Sequence, residues 1–146
     1  MAKRILVPLD RTDRAIVPVV ASLARGDGAT VRLLRVMPVP EMRRGDYGRP
    51  VSYVDQEMAS LQGRALDDLA CAEAELDGVP VESVVRFGDV VDEIALEAEA
   101  FSADLIAVGD GRRHHVSRAL RPSVADRVAR KIDSPVLVVR ESKSRR

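Results

Sequence analysis

Hydrophobic residues gather in five short runs rich in β-branched side chains: Arg4 to Leu9, Thr30 to Met37, Val81 to Phe87, Asp104 to Val108 and Pro135 to Arg140. In Ile5-Leu6-Val7, Leu105-Ile106-Ala107-Val108 and Val136-Leu137-Val138-Val139 the apolar residues are continuous rather than alternating. Such runs indicate strands buried on both faces, as in a parallel sheet between two layers of helices.

The intervening segments carry helical spacing. Thr12 or Asp13 would cap a first helix with Ile16, Val20, Leu23 and Ala24 on its apolar face, and Gly26 and Gly28 would end it. The second and longest pattern places Val54, Met58, Leu61, Ala65, Leu69, Ala72 and Leu76 three or four apart, with Ser52 and Asp55 as a capping box and Gly78 and Pro80 as the stop. Asp89 would cap a third helix bearing Val91, Ile94, Ala95, Ala98 and Phe101, with acids in its first turn to complement the helix dipole. A short fourth helix, about Pro122 to Ile132, would present Val124, Val128 and Ile132. The order β-α-β-α-β-α-β-α-β predicts an α/β fold, one doubly wound parallel sheet with helices on both faces. One domain covers 1–146, ending in a basic tail at 141–146.

Composition sharpens this in three places. Aromatics make up 3% of the chain and Trp is absent, so Val, Leu, Ile and Ala must fill the core. The 23 Lys plus Arg equal the 23 Asp plus Glu, which gives no overall field to attract nucleic acid. No apolar stretch approaches the roughly 20 residues of a membrane span. Met1-Ala2-Lys3-Arg4 leads straight into the first strand without the apolar region of a signal peptide, and a lone cysteine, Cys71, permits no internal disulfide. The expected location is the cytoplasm.

Candidate chemistry belongs at the carboxyl ends of the strands, where ligands bind in open α/β sheets. The first strand ends in Val7-Pro8-Leu9-Asp10, the second in Val36-Met37-Pro38 and the fourth in Val108-Gly109-Asp110-Gly111-Arg112. The two long irregular stretches, Pro38 to Pro50 and Asp110 to Arg121, follow two of those ends, and loops of that length are functional or mobile.

From Ile5-Leu6-Val7-Pro8-Leu9-Asp10 through Phe87-Gly88-Asp89 to Ser134-Pro135-Val136-Leu137-Val138-Val139-Arg140, the chain resembles the universal stress protein family over nearly its whole length. The resemblance implies an adenine nucleotide alpha hydrolase-like fold with strand order 3-2-1-4-5, and a homodimer formed through the last strand, Val136 to Val139. It also implies that Asp10 and Val36 hold ribose and adenine with Pro8 and Val108 beside them, while Ser123 and Val124 face phosphate. ATP-binding members carry Gly, two residues, Gly, nine residues, then Gly-Ser or Gly-Thr. Laid ungapped on this chain, that signature falls on Gly109, Arg112, Pro122 and Ser123, so two of three glycines are missing. Pro122 has no N–H to offer a phosphate, although proline suits a first helical turn. Arg112 would either fill the cradle or present its guanidinium to a ligand. Gly111 lies out of register.

Several of these residues have plainer readings. Asp10 would equally hold a turn, and Ser123 would equally satisfy helix-start donors. His114-His115 are adjacent and lack ligands at metal spacing, so no metal is expected. Arg112, Arg113, Arg118 and Arg121, like Arg43, Arg44 and Arg49, read as solvated charge or as a site for an anionic ligand or acidic partner. Cys71 has no basic neighbour to activate it. No Ser-His-acid set, Walker loop or carboxylate pair is present, so no catalytic residues are assigned. The chain is expected to be a non-enzymatic stress-response or signalling dimer with a degenerate nucleotide site and an unidentified protein partner. The alternative is an ATP- or adenine-nucleotide-binding switch using the crevice between the first and fourth strands, and slow ATP hydrolysis would require that switch and a base as well.

Overall fold

The computed structural model describes residues 2–10, 15–40, 50–109 and 124–139, and of residues 50–54 the backbone alone. Strands and helices alternate throughout: β1 Arg4–Pro8, α1 Ile16–Asp27, β2 Thr30–Met37, α2 Pro50–Ala74, β3 Val81–Phe87, α3 Val90–Phe101, β4 Leu105–Gly109, α4 Val124–Lys131 and β5 Val136–Val139. The strands form one sheet in the order β3-β2-β1-β4-β5, with every neighbouring pair parallel. This is the order that the family resemblance implies.

The continuous apolar runs are explained by the two sides of the sheet. Because successive side chains of a strand point to opposite faces, Ile5 and Val7 enter a core with Val17, Val20 and Leu69, while Leu6 enters a second core with Ile94, Phe101 and Val128. Helices α1 and α2 therefore cover one face, and α3 and α4 the other. The β1 run Ile5-Leu6-Val7 is fully buried, and of the β4 run Ile106, Ala107 and Val108 are buried while Leu105 at its start is half-buried. The β5 run is more open: Val136, Leu137 and Val139 are half-buried and Val138 is 40% exposed, because among the described residues β5 has a neighbouring strand on one side only. A continuous apolar run thus marks an edge here, where two-sided burial was expected.

Several helix boundaries depart from expectation. Gly26 lies inside α1, and it is Gly28, at φ 65°, that caps the carboxyl end, its N–H donating to the Ala24 carbonyl. Ser52 lies within α2, whose helical backbone already includes Pro50, so Ser52 and Asp55 are not a box at its start. α2 ends at Ala74, before Gly78 and Pro80, and a following turn still buries Leu76. Asp89 caps α3 as expected, its carboxylate accepting from the Asp92 N–H at 3.0 Å. In α4, Ala125 and Val128 are the buried residues, whereas Val124 is 39% exposed and does not face the core. Thr12 and Asp13 lie outside the described residues.

Candidate functional site

β1 is the pivot of the sheet. The connection leaving it, through α1, runs on one face, while β4 at its other side is joined through α3 and α4 on the opposite face. Crossovers that diverge in this way leave a crevice beyond the carboxyl ends of the two strands.

Strand register decides what meets there. Ile5 pairs with Leu105 and Leu6 with Ile106, and continuing that register sets Pro8 level with Val108. Pro8 pairs with Leu34, so Val36 stands two residues further out on β2, level with Asp10. Val108 is buried in the α3/α4-side core and Val36 packs partly against it. Pro8, two residues after Leu6, shares their face. Pro8, Val36 and Val108 thus form an apolar wall on one side of the sheet, with exposed Asp10 at its mouth and half-buried Gly109 closing β4. The register brings five of the eight expected site residues to one end of three adjacent strands.

Of the residues expected to face phosphate, Val124 alone is among the described residues. Arg112, Ser123 and the glycine-signature positions between them lie outside the described residues, as do His114 and His115. Val124 opens α4, whose first-turn N–H groups are the donors a phosphate would use. Asp126 sits in that same turn, and its negative charge opposes an anion there. Arg127 reaches Asp89 at 3.8 Å and Lys131 pairs with Asp92, tying α4 to the start of α3. All four of these groups are about half exposed, so the ties are screened and weak.

Two features escaped the sequence reading. Arg35, on the α1/α2 side of β2, is 7% exposed. Its Nε donates to the Leu9 carbonyl at 2.8 Å, and its Nη1 lies 3.5 Å from Oδ2 of Asp68 on α2. On the other face, the buried Glu97 of α3 stands 3.6 Å from both Arg32 on β2 and Arg86 on β3. The Arg32 guanidinium also lies 4.3 Å from the centroid of the Phe101 ring. The available signal was charge within buried strand runs, in Arg32-Leu33-Leu34-Arg35, which demands partners somewhere in the fold.

Among the described residues no group of three His, Cys, Asp or Glu is placed to hold a metal ion, and Cys71 is exposed and unpaired. No helix among them is long and apolar enough to cross a membrane.

Comparison with known proteins gives a consistent picture. The sequence profile described as the Universal stress protein family matches residues 1–140. Universal stress protein G of Shigella flexneri is 30% identical over 146 residues, spanning 96% of this chain and 100% of that protein. Among solved structures, the hypothetical protein MJ0577 superposes with a TM-score of 0.80 at 25% identity, covering 97% of this chain and 98% of its own. A universal stress protein in complex with cAMP superposes at 0.67 with 22% identity, over 97% and 98% of the two chains. Profile, relative and fold agree, and the chain belongs to the universal stress protein family.

Proposed function

We propose that this chain is a non-enzymatic stress-response signalling protein that acts as a homodimer through β5 and retains a degenerate nucleotide site. The observation that carries the dimer is the contrast between the two sheet edges. β3 bears Glu82 and Arg86, charges of the kind that protect an edge from further pairing. β5 presents Val136-Leu137-Val138-Val139 with no charge, a run suited to cover by its own copy. The absence of turnover rests on the sequence, which supplies no nucleophile, base and acid at a catalytic spacing. Contact with a further protein partner would fall to the basic stretches around Arg43 and Arg112.

The test is light scattering of the wild type beside Val138→Lys, which sets a charge on each copy of the proposed seam. A wild type at dimer mass and a variant at monomer mass are expected. Two equal masses at the monomer value would end this reading.

A second reading, an adenine-nucleotide switch, is favoured by the apolar wall of Pro8, Val36 and Val108 beside Asp10, and by the cAMP complex of a similarly folded relative. In that reading Asp10 and Val36 hold ribose and adenine, Gly109 lets the backbone approach phosphate, and Arg112, Ser123 and Val124 face it. Calorimetric titration with ATP and magnesium, and with AMP, tests it. No heat at millimolar ligand would exclude it.

A further inference from the structure

We infer that Arg35 is a positioning residue for the crevice, using its buried guanidinium to hold the backbone at Leu9 and Asp10, just beyond the end of β1. The inference rests on the nucleotide reading of that crevice.

On its face of β2, Val31 and Leu33 are buried and apolar, and the same face continues with Arg35 at 7% exposure. A guanidinium there adds no stability that an apolar side chain of the same volume would lack, since desolvation offsets what its partners return. Its partners show what it does instead. The β1–β2 ladder ends with Pro8 opposite Leu34, and the Leu9 N–H adds one last bond to the Leu34 carbonyl at 2.8 Å. The Leu9 carbonyl, the acceptor for a further rung, receives Arg35 Nε at 2.8 Å. A side chain thereby fixes the peptide between Leu9 and Asp10 where strand pairing stops.

Arg35 also precedes Val36, so one residue joins the wall of the crevice to its acidic mouth. Asp68, half exposed and 3.5 Å from Nη1, adds a weaker contact that links α2 to the same guanidinium. A planar group with several fixed donors suits this double duty, and a lysine does not reproduce it.

The experiment uses the whole chain and Arg35→Met, which keeps a buried stem and loses the donors. Amide hydrogen exchange of the ligand-free proteins should show Leu9 exchanging about tenfold faster or more in the variant, as loss of a hydrogen bond from a charged donor would give, with Val7 and Leu33 unchanged. The dissociation constant for AMP should rise about tenfold. An unchanged Leu9 amide, or equal acceleration at Leu9, Val7 and Leu33, would overturn the positioning role. If the wild type binds AMP and Arg35→Met binds it equally well, the inference fails alone. If the wild type binds none, the nucleotide reading fails and takes the inference with it. Should Arg35→Met not fold, Arg35→Lys is read by the same measurements.

Discussion

Two carboxylates contact Arg32, and the shorter contact is predicted to matter less. Glu82 Oε1 lies 2.5 Å from Arg32 Nη2, whereas Glu97 Oε2 is 3.6 Å from Arg32 Nη1. The Glu82 side chain is 51% exposed, so water and salt already solvate it, and losing the pair should cost at most about 1 kcal/mol. The Glu97 side chain is 5% exposed and shared with Arg86 at 3.6 Å, so neutralising it takes a buried counter-charge from two arginines whose side chains are only 20% and 31% exposed. Breaking a buried pair costs about 3–5 kcal/mol. The figure here should be lower, about 2–3 kcal/mol, because Arg32 keeps Glu82 and the Phe101 ring and Arg86 keeps Glu93 at 3.6 Å. It should not approach zero, since Arg86 Nε is already buried without a hydrogen-bond partner.

The assay is urea unfolding of Glu97→Gln and Glu82→Gln, substitutions that keep volume and remove charge. With a slope of about 2 kcal/mol/M, Glu97→Gln should lower the midpoint by about 1 M and Glu82→Gln by under about 0.5 M, with slopes unchanged. Repeating the series in 1 M salt should shrink the Glu82 effect and leave that of Glu97 standing. A Glu82→Gln loss equal to or larger than that of Glu97→Gln would refute the argument that burial outweighs distance.

Two backbone positions give further tests. Ser102 caps α3 at φ 55°, a left-handed conformation costly for any residue with a Cβ, so Ser102→Gly should raise Tm by about 2–4 °C in a thermal melt. A fall in Tm would show that the serine side chain compensates for its backbone. Gly88 has φ 147°, and a Cβ there would stand 3.0 Å from Glu93 Oε1, so Gly88→Ala should cost about 1–3 kcal/mol in urea unfolding, and an unchanged midpoint would contradict it.

Two of the strands, β2 and β3, were legible because their information is local. Thr30–Met37 and Val81–Phe87 begin and end where the apolar runs do, with Gly28, Gly78 and Gly88 close outside them. The Asp89 cap was equally local. Glu97 was not, because its place on α3 resembles a surface acid until Arg32 and Arg86 arrive from strands distant in sequence. Arg35 was hidden for the same reason, since its partners Leu9 and Asp68 lie 26 and 33 residues away. At Ser52 a good capping residue was overruled, because the helical backbone already includes Pro50. Val136–Val139 misled in the opposite sense: a strand's own sequence states that both faces are apolar, but the sheet order decides whether anything covers them.

The two halves of the crevice have different origins, and this separates their fates. Pro8, Val36 and Val108 are placed by strand register and core packing, which tolerate little change without unfolding the sheet. A phosphate seat depends instead on backbone N–H groups and on glycines that let the chain come close, and the sequence has Arg112 and Pro122 where two of those glycines would stand. On the adenine-nucleotide reading proposed above, loss of the seat therefore need not erase a nucleoside end. Each charge-assisted bond to phosphate is worth about 1.5–3 kcal/mol, so an intact seat should make ATP bind at least about a hundredfold tighter than adenosine. A degenerate seat should bring adenosine, AMP and ATP within about tenfold of one another, as measured by competition against one fluorescent adenosine probe. Retention of the hundredfold preference would show that Arg112 supplies by its guanidinium what the missing glycines no longer provide.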